Sequence, residues 1–216
     1  MKNGALLFIG MLAALLLSWA GIVMGANGQL GGLTGYYDDA DSQSYPLRQP
    51  GIASAGQLVY QDLNCAACHT QQVRREDFGS DLARGWGERQ SVARDYIYQP
   101  AVQLGQSRFG PDLANLAGRK PTALDASDLY ALLYEGHGAM PAYSFLFDER
   151  KVIGQVSEHA LQLVGRYKAL PGREIVPTRA AQELVAYLLS LDSAYAYPEA
   201  KPAAPAPGEK KSEEKK

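Results

Sequence analysis

The chain has 216 residues, 46% of them hydrophobic and 20% charged, with 21 Lys and Arg against 23 Asp and Glu for a formal net charge of -2. A slightly acidic chain without a basic stripe excludes nucleic acid as a partner, because phosphate binding needs clustered cations. Setting aside an apolar start and a low-complexity end leaves about 150 residues, the size of one globular domain, and no internal repeat divides them.

The first predicted element runs from Gly4 to Ala26, a stretch without any charged residue and dominated by Leu, Ala, Met, Phe, Ile, Val and Trp. As a helix it would extend about 35 Å, enough to cross a bilayer core with some tilt. A secretory signal is the competing reading, since Lys2 supplies a positive n-region. The apolar run exceeds the roughly 7 to 15 residues of a signal h-region and lacks a clean A-x-A site, so a retained anchor over residues 1–26 is expected. Lys2 is the charge on its amino side and Asp38 the next one downstream, so the positive-inside bias sends the rest of the chain to the outer face. A linker over 27–53 follows, opening on the Gly-rich Gly25-Ala26-Asn27-Gly28-Gln29-Leu30-Gly31-Gly32.

The domain is expected over 54–197 and reads as helical, with strand-like alternation nowhere sustained. Its first helix, about Ser54 to Asn64, runs into Cys65-Ala66-Ala67-Cys68-His69, which uses both cysteines of the chain. Two thiols two residues apart on one turn can each add to a haem vinyl group, while the adjacent imidazole reaches the iron from the same side. The motif therefore predicts one covalent haem c, bound by Cys65 and Cys68 and ligated by His69. A zinc site would need two further Cys or His ligands, and His137 and His159 stand in no Cys-rich context. A redox dithiol would follow a strand in a β-α-β pattern, and a structural disulfide would close a strained small ring. Haem c attachment also takes place on the outer face, in agreement with the anchor.

The opposite face of the iron needs a ligand or stays open. Met1, Met11 and Met24 lie in the apolar start, which leaves Met140 as the methionine available to the domain. Pro141 follows it and Gly136 and Gly138 precede it, a loop composition free of helical constraint. His137, three residues away, is the chemical rival; Met ligation would raise the reduction potential and His would lower it. A second helix is predicted from about Ser127 to Glu135, capped by Asp125 or Ser127, with Leu129, Leu132 and Leu133 on one face. A last helix is predicted from Arg179 to about Leu191, capped by Thr178, with Leu184, Tyr187, Leu188 and Leu191 at three- and four-residue spacing. His159 reads as a surface residue, and residues 198–216, rich in Pro, Ala, Lys and Glu, as a disordered tail.

Helix, C-x-x-C-H, helix, Met loop and closing helix is an order that resembles class I cytochromes c, which implies an all-α fold with one N-terminal transmembrane helix added. A closer resemblance lies in Thr70-Gln71-Gln72-Val73-Arg74, the segment Trp86 to Pro100 with its tyrosines, Gly110-Pro111-Asp112-Leu113-Ala114 and Met140-Pro141-Ala142-Tyr143. In that order they resemble the mono-haem subunit II of cbb3-type cytochrome c oxidases, the CcoO/FixO chain. The chain departs from that pattern at Gln72 and Arg75, where the family usually has Met and Pro, and at Ser144-Phe145, where Pro-Trp is common. The stretch from Asp148 to Arg173 has no counterpart. The resemblance implies an electron carrier of aerobic respiration on the periplasmic side of a bacterial-type inner membrane, with no bond chemistry of its own. Its implied partners are the haem-copper oxidase catalytic subunit as acceptor and a di-haem cytochrome c subunit or a soluble cytochrome as donor. It further implies that the Pro111 carbonyl accepts from the free N–H of His69. Arg74 and Arg108, and more weakly Arg119, are then candidates for the haem propionates, since guanidinium binds carboxylates bidentately. A nitric oxide reductase subunit or a free-standing anchored shuttle would share the ligands, and a gas-binding haem protein would need an open iron face. A di-haem peroxidase would require a second haem motif.

Overall fold

The computed structural model describes residues 3–119 and 123–200. The expected disordered tail lies outside the described residues from 201 onward. Within the described chain, two compact units separate: one combines the chain up to Pro46 with Ala93–Tyr98, the other Leu47–Val92 with the chain from Gln99 onward.

In the first unit, α1 (Gly4–Trp19), a π-helical turn (Ala20–Met24) and α2 (Gly25–Leu30) form one continuous helix of 27 residues with no buried side chain. A helix that is apolar all round and has no protein partner suits a lipid environment. The linker expected over 27–53 is not featureless. It holds a small antiparallel hairpin of β1 (Tyr36–Asp38) and β2 (Gln43–Tyr45), in register from Tyr36 opposite Tyr45 to Asp38 opposite Gln43. Ala93–Tyr98, distant in sequence, completes this unit: Arg94 donates to the Thr34 carbonyl, and a Cβ on Gly35 would stand 3.0 Å from the Tyr98 hydroxyl.

The second unit is built on the crossing of α3 (Gly51–Asp62) with α5 (Arg179–Leu189). Ala53, Gly56, Gln57 and Tyr60 recur every three or four residues and form the buried face of α3. A Cβ on Gly56 would fall 1.8 Å from the Glu183 carbonyl oxygen, so the crossing needs a residue without one. α5 answers with Ala181, Leu184, Val185, Tyr187 and Leu188, and the Tyr60 and Tyr187 rings meet edge-on at 5.3 Å. α4 (Ala126–Glu135) lays Leu129 and Leu133 on the same core. Asp125 caps it through a reciprocal pair with Asp128, and Thr178 caps α5 by accepting from the Ala181 N–H, both as the sequence predicts.

The fold departs from all-α. β3 (Phe147–Lys151) pairs antiparallel with β4 (Arg173–Pro177), Phe147 opposite Pro177 and Lys151 opposite Arg173. Neither strand alternates: β3 is a charged exposed edge after Phe147, and β4 is a continuous buried run from Glu174 to Pro177. A period-two search misses both kinds. The stretch between them is pinned by buried Leu163 and by Glu174, which accepts from Arg150 at 2.8 Å and from the Ser157 N–H at 2.6 Å. Beyond α5 the chain continues as a strap. Ser193 N–H donates to Asn115 Oδ1 at 2.8 Å, and buried Arg89 lies over the rings of Tyr195 and Tyr197, 5.1 and 4.6 Å from their centres.

Candidate haem-binding site

α3 stops at Leu63, after which Asn64 turns left-handed with φ 54° and starts a 3-10 turn over Cys65–Ala67. Cys68 and His69 both donate their N–H groups to the Cys65 carbonyl, at 3.1 and 3.0 Å, so the three motif residues share one turn. Both cysteines are free thiols; Cys65 is half-buried against the core and Cys68 is exposed. Burial pushes the Cys65 thiol up to about 11, which leaves it protonated at neutral pH, unlike the attacking thiol of a redox dithiol. Among the described residues no three His, Cys, Asp or Glu side chains gather as a metal-ion set, so a zinc site lacks its ligands.

A second segment is laid along the motif and seats the imidazole. Gln106 N–H donates to the Ala66 carbonyl at 2.8 Å, Ser107 Oγ to the Ala67 carbonyl, Gly110 N–H to the Cys68 carbonyl at 2.9 Å, and Leu113 N–H to the Thr70 carbonyl at 2.7 Å. His69 Nδ1 lies 2.9 Å from the Pro111 carbonyl oxygen. A carbonyl can only accept, so Nδ1 carries the proton and Nε2 keeps its lone pair. Two glycines permit this approach. A Cβ on Gly110 would stand 2.2 Å from His69 Cε1, and one on Gly105, where φ is +86°, 2.3 Å from the His69 carbonyl oxygen.

Acidic residues that the sequence reading did not single out organise the surroundings. Asp112 is fully buried; its carboxylate accepts from Thr70 Oγ1 at 2.5 Å, from Gln72 N–H at 2.8 Å and from Ala114 N–H at 2.9 Å. Asp81, also fully buried, draws in both favoured arginines: Arg74 Nη2 at 2.9 Å and Arg108 Nη1 at 2.7 Å, with the Arg74 N–H at 2.8 Å. Burial is the largest influence on the Asp81 carboxyl and pushes it up, but the hydrogen bonds from Arg74 and Arg108 outweigh it and hold the group below the usual carboxylate value. Arg108 also donates to the Gln72 carbonyl at 2.6 Å and lies over Trp86, 5.9 Å from its ring centre. Arg119 differs from these two. It donates to the Asp112 carbonyl through Nη2, while its buried Nε has no hydrogen-bond partner among the described residues, and burial lowers its basicity. The sequence signal for Asp81 is thin, one acid in an ordinary loop; Asp112 stands inside the Gly110–Ala114 element but carries no assigned role there, and only folding reveals the burial of both.

Met140 sits in a tight loop closed on itself, with Met140 N–H donating to the His137 carbonyl at 2.9 Å and His137 N–H to the Met140 carbonyl at 3.2 Å. Gly136 and Gly138 supply φ of +72° and +58°. A Cβ on Gly136 would stand 2.8 Å from the Met140 carbonyl oxygen. Met140 is half-buried and packs against the core cluster, as Cys65, Ala66 and Tyr143 also do, whereas His137 is exposed. Tyr143 N–H ties the loop to α4 through the Leu133 carbonyl at 2.7 Å. His159 is exposed, as expected of a surface residue.

These features fit a haem. The imidazole donates from Nδ1, which in the neutral ring leaves the Nε2 lone pair free, both thiols are uncommitted, a thioether packs against the core, and Arg119 has a buried donor without an acceptor among the described residues. The family model described as cytochrome c oxidase, mono-heme subunit/FixO, matches residues 46–191, and no curated protein matches the chain. The match runs from before α3 to beyond α5 and takes in the haem motif, the Gly110–Ala114 element and the Met140 loop, so the chain belongs to the FixO family of mono-haem cytochrome c oxidase subunits.

Proposed function

We propose that the chain carries single electrons to the oxygen-reducing haem-copper subunit of a cbb3-type oxidase, receiving them from a di-haem cytochrome c subunit or a soluble cytochrome. The observation that carries this reading is the seat of His69, an imidazole whose Nδ1–H is bonded to Pro111 and whose Nε2 is left to a metal. A covalently held haem c would supply the one-electron couple; the protein supplies attachment, ligation and charge. Cys65 and Cys68 would tether the group, and His69 and Met140 would supply its iron ligands. Met140 is preferred to His137 because its side chain faces the core while that of His137 is exposed. Gly110 keeps the ring's flank clear. Arg74 and Arg108 flank the site and share the single charge of Asp81, and Arg119, with a buried donor unused among the described residues, is best prepared to meet a propionate.

The uncharged helix over Gly4–Leu30 is read as the inner-membrane anchor, and Lys2 on its amino side, with Asp38 the next charge downstream, supports a periplasmic location for the remainder. The test is recovery of the intact chain from mildly solubilised native membranes, followed by mass spectrometry and an absorption spectrum. A stoichiometric haem-copper subunit together with a low-spin His-Met spectrum supports the reading. Recovery of the chain alone with that spectrum would instead make it an anchored shuttle, and rapid carbon monoxide binding by the reduced protein would point to an open iron face.

A further inference from the structure

We propose that Asp112 is a positioning residue for His69, holding the plane of the imidazole through Thr70; the inference rests on His69 being the haem ligand. Two neighbouring pairs, His69-Thr70 and Pro111-Asp112, are joined by two side-chain rungs. One is the ring Nδ1–H to the Pro111 carbonyl at 2.9 Å, and the other is Thr70 Oγ1–H to Asp112 Oδ2 at 2.5 Å. Backbone bonds brace both ends, Gly110 N–H to the Cys68 carbonyl at 2.9 Å and Leu113 N–H to the Thr70 carbonyl at 2.7 Å. The same Oδ2 takes the Gln72 N–H at 2.8 Å, so one carboxylate oxygen grips the chain on both sides of Gln71. A single rung would let the ring rock about its hydrogen bond. The second rung fixes the separation between residue 69 and the carbonyl that orients it.

The carboxylate is an expensive choice for such a splint, since it has no solvent exposure and its nearest cation, Arg108 Nη2, is 3.7 Å away. Charged acceptors make shorter and stronger hydrogen bonds than neutral ones, which suits a brace that must hold the ligand in place when the iron changes charge. A buried negative charge on this side also favours the more positive, oxidised state of the site and so lowers its reduction potential.

The experiment uses the full-length haem-loaded protein in detergent with four sequences: wild type, Thr70→Val, Thr70→Ser and Asp112→Asn. Potentiometric titration is combined with the hyperfine-shifted haem-methyl resonances of the ferric state, which report the orientation of the axial imidazole. Thr70→Val, which changes no charge, is expected to rearrange the methyl pattern, and Thr70→Ser to restore it. Asp112→Asn is expected to raise the ferrous-to-ferric ratio at fixed ambient potential about tenfold, equivalent to about 59 mV for one electron. If Thr70→Val and Asp112→Asn only lower the melting temperature, leaving methyl pattern and potential as in wild type, Asp112 is a packing residue and the proposal falls. Absence of covalent haem from the wild type would overturn the reading of His69 itself, a result separate from either of these.

Discussion

At the scale of single residues, the site depends on where side chains are missing as much as on where they are present. Gly110→Ala would place a methyl 2.2 Å from His69 Cε1, against a ring held by its own bond to Pro111. The variant is expected to mature poorly, read as covalent haem per chain by haem stain and absorbance; full loading with an unshifted spectrum would refute the crowding argument. Met140→Ala should abolish the weak red-end absorption band of an iron-thioether bond in the ferric protein, and persistence of that band would remove Met140 as a ligand. Asp81 makes a pH prediction. Its folded-state value lies below the ordinary carboxylate value of 3.8, so its contribution to stability is full above that value and is lost as pH falls through the lower folded one. Asp81→Asn should therefore weaken the protein at neutral pH and flatten the acid limb of its stability curve. An unchanged acid limb would mean that the Arg74 and Arg108 bonds contribute no net stability.

At the scale of elements, the crossing of α3 and α5 is the contact on which the haem unit is built, and it is intolerant of volume. Gly56→Ala would force a methyl to within 1.8 Å of the Glu183 carbonyl oxygen, which is backbone and can yield only if one helix moves. Overpacking of this kind costs about 1–3 kcal/mol. A melting temperature several degrees lower is expected, and a wild-type value would show that the helices separate freely. The crossing was half legible in the sequence. Tyr187 and Leu188 on the closing helix follow the 3.6 period, and Thr178 announces its start, so that helix was readable from residue order alone. The start of α3 was not: it begins at Gly51 behind Pro50, three residues before the predicted Ser54, because a proline with extended ψ caps it without any side-chain signal. The β3–β4 pair was invisible for a different reason. One strand is an exposed charged edge and the other is buried throughout, so only their mutual pairing identifies them as strands.

At the scale of the whole molecule, an apolar helix bearing no buried side chain and a second unit with its own core are the two parts that the proposed membrane-tethered carrier requires. Orientation is testable directly. A C-terminal epitope on the intact chain should be digested by protease added to spheroplasts, whereas protection until the membrane is ruptured would place the haem unit in the cytoplasm and contradict the charge argument.

The expectation of covalent haem attachment rests on the sequence alone, because thioether formation and iron ligation need three groups within one turn, and a pentapeptide from Cys65 to His69 carries all three. The expectation of a membrane anchor is equally local, resting on an uncharged run that folds as one helix long and apolar enough to span the hydrocarbon. Elimination also reached Met140 from composition, since the other methionines lie in the anchor. What only the tertiary structure decided is how charge and space are managed around His69. Arg74 and Arg108, read from the sequence as candidates for the haem propionates, turn out to share buried Asp81. Asp112 sits 40 or more positions from the residues it grips, and Gly110 is required only because an imidazole arrives beside it. Burial and long-range pairing set the energy of a charge, and neither is a property of the residues nearest to it in the chain.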